Sequence, residues 1–197
     1  MGHFSDLKKG MAIIMTWQEL EGKCGNCKRC PLGETRTNLV FGCGNREAKL
    51  MFVGEAPGEQ EDKQGLPFVG AAGKLFDKYL EAVGIDRDEV YIANILKCRP
   101  PRNRDPLPEE QDVCIEYLRE QVRLIKPKMI VCLGRISAMR LISPDYRITK
   151  EHGVWVKKGQ YDMTAVYHPS LLLRDASRKD EMLADMIEVA RRYSEIK

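Results

Sequence analysis

Apolar residues in this chain fall into four short continuous runs, over 49–54, 90–95, 129–133 and 163–167, separated by stretches in which they recur every three or four positions. The runs are short and apolar at successive positions, so they predict strands covered on both faces. The recurrent stretches predict helices. One begins at the end of Gly70-Ala71-Ala72-Gly73, gathers Leu75, Phe76, Tyr79, Leu80 and Val83 on one side and stops at Gly84. Another runs from about Pro108, with two glutamates in its first turn, and turns Cys114, Ile115, Leu118, Val122 and Ile125 inward before Pro127. A last helix, from about Ser177, is expected to bury Leu183, Met186, Ile187 and Ala190. A short one over Thr16 to Glu21 carries the capping-box spacing, Thr16 to Glu19. Strands alternating with helices imply parallel βαβ units, hence an α/β fold: a three-layer α/β/α sandwich on a central four-stranded, mainly parallel sheet, one domain over 16–197. Residues 1–15 fit no later element and read as an N-terminal extension, frayed or foreign to the domain.

Ligands of open α/β sheets bind beyond the carboxyl ends of the strands, so the strand exits are where chemistry is expected. The first run breaks into Gly54-Glu55-Ala56-Pro57-Gly58 and continues as a loop through Gln60, Glu61 and Asp62 to Phe68 and the Gly70–Gly73 segment. The second ends at Asn94 and leads into Lys97-Cys98-Arg99-Pro100-Pro101. The third gives Gly134-Arg135, and the fourth Tyr167-His168-Pro169-Ser170. A carboxylate, an amide and an imidazole thus leave the same edge of one sheet. Asn94 offers a donor and an acceptor side by side, which suits an amide-like edge such as that of a nucleobase. Phe68, in a loop without strand or helix periodicity, reads equally as core or as a stacking platform.

Composition narrows the class. With 31% charged and 43% apolar residues and no apolar run near the length of a membrane span, the chain reads as a globular, cytosolic protein that does not enter membranes and acts as a monomer. A net charge of +3 does not by itself announce a nucleic-acid partner, so any such surface must come from local clustering. Lys97, Arg99, Arg102 and Arg104 form one cluster, stiffened by Pro100 and Pro101, that suits phosphate contacts. Beyond His168, Leu171-Leu172-Leu173-Arg174 offers either core packing or an apolar wedge between base steps, Leu172 being the first candidate and Arg174 its phosphate partner.

Seven cysteines are many for a cytosolic chain, where metal sites are commoner than disulfides. Cys24, Cys27 and Cys30 carry two-residue spacers, and Cys98 and Cys114 lie near the basic loop. A four-cysteine set drawn from these holds zinc or an iron-sulfur cluster, and spacing does not choose between them. Cys132 reads as a buried hydrophobe and Cys43 as a spare thiol.

Taken together, Cys27-x-x-Cys30-Pro31-Leu32 with Arg36-Thr37, Gly54-Glu55-Ala56-Pro57-Gly58, Pro67-Phe68-Val69-Gly70, Asn94 with Lys97-Cys98-Arg99-Pro100-Pro101, and His168-Pro169-Ser170 through Arg174 resemble the family 4, iron-sulfur branch of the uracil-DNA glycosylases over about 24–190. The resemblance implies a 4Fe-4S cluster on Cys27, Cys30, Cys98 and Cys114, and a uracil pocket from Gly54, Glu55, Ala56, Phe68, Asn94 and His168. It implies excision of uracil from DNA, with His168 at the developing charge of the base and Glu55, or its rival Glu61, handling water or the sugar cation. Arg99, Arg102, Arg104, Leu172 and Arg174 would face the DNA. Cys24 departs from the pattern, because a C-x-x-C can also be drawn one step earlier; Pro31-Leu32 and Arg36 favour Cys27 and Cys30. The competing readings are a non-catalytic iron-sulfur DNA-binding module attached to replication machinery, and a nucleotide enzyme with structural zinc; neither a GxGxxG nor a GxxxxGK[ST] loop is present.

Overall fold

A computed structural model describes residues 15–197. The expected extension therefore lies, save for Met15, outside the described residues. The sheet has the strand order β1-β3-β2-β4-β6-β5, with β1 (Cys43–Gly44), β2 (Leu50–Gly54), β3 (Tyr91–Asn94), β4 (Met129–Leu133), β5 (Val156–Lys158) and β6 (Tyr161–Val166). Its inner strands β3, β2, β4 and β6 are mutually parallel and coincide with the four apolar runs. β1 and β5 pair antiparallel at the two edges and extend the expected four-stranded sheet to six.

The helices are α1 (Trp17–Gly25), α2 (Leu32–Thr35), α3 (Glu59–Gln64), α4 (Ala71–Ala82), α5 (Pro108–Ile125), α6 (Arg135–Leu141), α7 (Ile148–Glu151), α8 (Pro169–Leu172) and α9 (Lys179–Ser194). Alternate strand residues point to opposite faces. Met51, Val53, Ala93, Ile130, Cys132, Met163 and Ala165 pack under α5 and α6, while Leu50, Phe52, Ile92, Val131, Leu133 and Val166 pack under α4, α8 and α9. These two cores make the three layers. At roughly 1.5–3 kcal/mol for each large side chain fully buried, they are the main stabilising term of the fold.

The caps explain where the principal helices start. Thr16 and Glu19 close a reciprocal capping box on α1. On α5, Pro108 stands in the first turn and Glu110 accepts the Leu107 N–H at 2.9 Å. The expected inward face of α9 is displaced by one residue. Met182, Met186, Val189 and Tyr193 are buried, whereas Leu183 and Ile187 are 36% and 55% exposed. The helix carries two adjacent apolar stripes, and the one ending in the Tyr193 ring fills the space over the sheet. Two stretches expected to be loops contain helices. Glu59–Gln64 forms α3, which is polar and so lacks an apolar period, and Pro169–Leu172 forms α8.

Candidate active site and cysteine centre

β2 and β4 are neighbours whose following connections leave in opposite directions along the sheet, a topological switch point. Over the carboxyl ends of the parallel strands lies a cleft of about 650 Å³, whose walls include Glu55, Glu61, Phe68, Asn94, Arg135 and His168.

Asn94 closes β3, opposite Gly54 in the register, and is 2% exposed. Its side-chain oxygen has no hydrogen-bond partner. A β-carbon on Gly54 would fall inside contact distance of that oxygen and 2.8 Å from Phe68 Cζ, so only glycine lets the amide and the ring close over the strand end. An unpaired buried carbonyl costs about 1–3 kcal/mol, which makes it a binding element for a ligand N–H.

Phe68 holds a positive φ of 54°, a conformation that costs a non-glycine residue of order 1–3 kcal/mol. The surroundings hold it there. Glu61 Oε1 accepts the Val69 and Gly70 N–H groups at 2.9 and 2.7 Å, and Arg87 donates to the carbonyls of Pro67 and Phe68 at 3.0 and 3.3 Å. The start of α4 passes so close beneath that Gly73 has no room for a β-carbon beside the Phe68 carbonyl. As a result the ring is fixed 5.5 Å from Phe76 and 5.7 Å from His168, belonging both to the core and to the cleft wall.

His168 precedes α8 and caps it. The Ser170 N–H donates to His168 Nδ1 at 3.1 Å, and Ser170 Oγ lies 2.7 Å from the same atom. Because Nδ1 accepts, the proton of the neutral ring is on Nε2. Burial, with Arg174 adding to it and Glu61 opposing, lowers the imidazolium pKa to about 4, so the ring is neutral at neutral pH. Glu55 follows β2 directly; its main-chain oxygen accepts the Leu96 N–H at 3.0 Å, and its carboxylate makes no hydrogen bond among the described residues. Burial and the nearby Asp105 raise its pKa to about 7, against the pull of Arg135, which itself pairs with Asp105 at 2.7 Å. The two carboxylates are thereby told apart: Glu61 is engaged by loop amides, and Glu55 is not.

Outside the cleft the structure separates the expected DNA contacts. Arg102 is exposed with no ion-pair partner among the described residues, and Arg174 is exposed on the cleft rim. Arg99 is held by Asn103 at 2.7 Å and lies 3.8 Å from Glu59. Arg104 lines the cleft and is committed to an ion pair. It grips the buried Glu110 through both terminal nitrogens, at 2.9 and 2.6 Å, because an unpaired carboxylate there would be costly. Lys97 is removed from the basic surface, being 1% exposed. Leu172 is 1% exposed and packed with α9 residues, so it is core; Leu173 is 53% exposed and Leu171 lines the cleft. The cause is α8, whose single turn points its middle leucines in different directions.

Sequence reasoning missed Ser170 as the group that fixes the His168 tautomer, although the His-Pro-Ser order carries that cap signal. It also missed the Asp105–Arg135 pair. Those residues come from different loops, and no local pattern links them.

The N-terminal segment meets the basic loop and α5 at a second, small cavity ringed by Cys24, Cys27, Cys30, Cys98 and Cys114. Among the described residues no three Cys, His, Asp or Glu side chains are grouped to hold a single metal ion. Cysteines ringing one cavity are the donor type that zinc and iron-sulfur centres both use. The polar surroundings fit such sulfurs too: Arg36 donates to Cys98 Sγ at 3.3 Å and the Lys97 N–H to Cys114 Sγ at 3.3 Å. Burial pushes Cys24 and Cys114 up to about 12, so their thiols ionise only with a cation in place.

A model of the Uracil DNA glycosylase superfamily matches residues 41–191. The chain belongs to this superfamily. It is 44% identical over 174 residues to the type-4 uracil-DNA glycosylase of Archaeoglobus fulgidus, covering 83% of this chain and 86% of that protein. It is 48% identical over 157 residues to that of Sulfurisphaera tokodaii, covering 75% and 71%, and 45% identical over 157 residues to that of Thermotoga maritima, covering 78% and 81%. Within this member of the glycosylase superfamily the matched region holds Glu55, Asn94, His168, Cys98 and Cys114. Cys24, Cys27 and Cys30 precede it.

Proposed function

We propose that this protein is a DNA-repair glycosylase that binds uracil flipped out of DNA, hydrolyses its N-glycosidic bond and leaves an abasic site. The observation that carries the reading is the unpartnered Asn94 oxygen in a cleft whose other wall is a neutral His168 with its proton on Nε2. Uracil presents an N3–H donor beside its O4 acceptor, the complement of an asparagine amide. Cytosine has an acceptor at N3 and a donor at C4, and would leave buried polar groups unpaired.

Each residue has a part in the reaction. Phe68 stacks on the extruded base, whose removal from the duplex stack is required for access. As the bond between the sugar C1′ and N1 breaks, its electron pair goes to the uracil ring, and His168 Nε2–H donates to O2 where negative charge develops. Glu55 in its ionised form orients water toward C1′ and takes the proton that water loses as the new C1′–O bond forms. Glu61 acts through Phe68 by holding its loop. Arg99, Arg102 and Arg174 meet phosphates, and Leu173, with Leu171 beside the cleft, enters the space left by the flipped nucleotide.

Cys27, Cys30, Cys98 and Cys114 would hold a 4Fe-4S cluster, with Cys24 beside it. When bound, the cluster supplies a covalent tie between the N-terminal segment and the loop after β3. We take the protein to act as a monomer on uracil-containing DNA. No described helix is long and apolar enough to cross a membrane.

A uracil-containing oligonucleotide tests the reading. Release of uracil and an alkali-labile abasic site at the uracil position, with no action on the cytosine equivalent, is expected. Binding of the oligonucleotide without release of uracil would overturn it.

A further inference from the structure

Lys97 opens the basic stretch after β3, yet its side chain lies in the core. The ammonium donates to the Asn94 main-chain oxygen at 3.0 Å and to Gln121 Oε1 at 2.6 Å, both neutral acceptors. Gln121 is wholly buried, and its amide nitrogen reaches the Phe41 carbonyl at 2.9 Å and the Tyr91 hydroxyl at 3.1 Å. That network ties α5, β3 and the loop at Phe41 around one cation. No carboxylate is among the ammonium's hydrogen-bond partners in the described residues; Lys97 lines the cysteine cavity beside Cys24, Cys98 and Cys114, and its main-chain N–H donates to Cys114 Sγ at 3.3 Å. A buried ammonium is tolerated when an anion shares its environment, and thiolates are what metal binding to these cysteines would create.

We propose that Lys97 is a positioning residue shared by two centres: its ammonium is the counter-charge of the cysteine centre, and its hydrogen bond to the Asn94 carbonyl fixes the base-reading amide. The inference rests on the reading of Cys27, Cys30, Cys98 and Cys114 as cluster ligands. A four-thiolate iron-sulfur centre carries net negative charge, which Lys97 balances from inside the protein. The same side chain bonds the last residue of β3, so base recognition depends on the state of a centre that never touches the base. Gln121 completes the arrangement by orienting the ammonium between the two.

The test compares the wild-type holoprotein with Lys97→Met, which keeps the length of the side chain and removes its charge. Iron per chain, the midpoint potential of the cluster by film voltammetry, and single-turnover excision over a range of uracil-oligonucleotide concentrations are measured. With iron retained, the potential is expected to move to a more negative value, because the lost cation had favoured the reduced, more negative centre. The half-saturating substrate concentration is expected to rise by about tenfold, with the saturated rate changed by less than about threefold. An iron-bearing Lys97→Met with unmoved potential and unmoved half-saturation overturns the proposal. Should this variant lose its iron, Gln121→Glu sets a carboxylate against the ammonium. A negative shift of potential supports the proposal and an unshifted one overturns it. Absence of iron from the wild type would instead defeat the cluster reading itself.

Discussion

Gly54 and Asn94 face each other across the last rung of the β2–β3 pairing, and the amide of Asn94 occupies the space that a side chain on Gly54 would need. Gly54→Ala must therefore push back either Asn94 or the Phe68 ring. The expected result is a folded protein destabilised by about 1–3 kcal/mol, the usual cost of overpacking, with excision reduced by about 100-fold or more. Thermal melting and single-turnover assays check the two effects separately. A variant of unchanged activity would show that the amide does not read the base.

His168→Ala removes a donor that acts as charge builds on uracil. The single-turnover rate should fall by about 100-fold or more with little change in DNA affinity. Normal chemistry with poor binding would make His168 a DNA-positioning group instead.

The two perturbed groups predict the pH profile. Because the His168 pKa is lowered to about 4, no loss of activity is expected near the ordinary histidine value of 6.5. Activity should instead rise through about pH 7 as Glu55 ionises, and Glu55→Gln should lose both most of the rate and that limb. The stability signs are opposite for the two groups. A carboxyl raised to about 7 in the folded state favours folding below its ordinary 4.5, and that contribution is lost as pH rises through about 7. Glu55→Gln should therefore melt higher than wild type at about pH 8 and about equally at pH 4. His168, lowered in the fold, contributes stability above its ordinary 6.5 that is lost as pH falls toward about 4.

Iron content tests the cysteine assignment. Purified without oxygen, the protein should be brown, with about four irons per chain. Cys27→Ala, Cys30→Ala, Cys98→Ala and Cys114→Ala should lose the cluster, while Cys24→Ala, Cys43→Ala and Cys132→Ala should keep it. Loss of iron from Cys24→Ala but not from Cys30→Ala would shift the ligand register.

Burial separates two pairs of neighbours. Leu172→Ala should cost about 2–5 kcal/mol of stability and affect single- and double-stranded substrates alike, whereas Leu173→Ala should leave stability intact and impair only duplex substrate. Likewise Arg102→Ala should weaken binding to all sequences and flatten the salt dependence, while Arg104→Ala should destabilise the fold by stranding Glu110. Calorimetry and salt titrations distinguish these outcomes.

The inner sheet was legible because each parallel strand is apolar on both faces and each long helix has one apolar stripe. β1 and β5 were not, being too short to show a period, and β5 is largely polar. Glu55, Asn94 and His168 could be brought together from sequence because parallel strands send all their exits to one edge. What remained hidden depends on packing between distant segments. Nothing in the basic loop distinguishes the buried Lys97 from the exposed Arg102, and nothing in three successive leucines tells which one the turn of α8 drives inward.

Because Asn94 leaves β3 and His168 leaves β6, the backbones carrying them stand three strand steps apart, at about 4.8 Å a step, or roughly 14 Å in all. Both residues line the cleft from strand exits at that separation. The sheet is in this sense a ruler: main-chain hydrogen bonding graduates the spacing of the backbones, and substitutions such as Gly54→Ala act on what is left, the set of the side chains upon it.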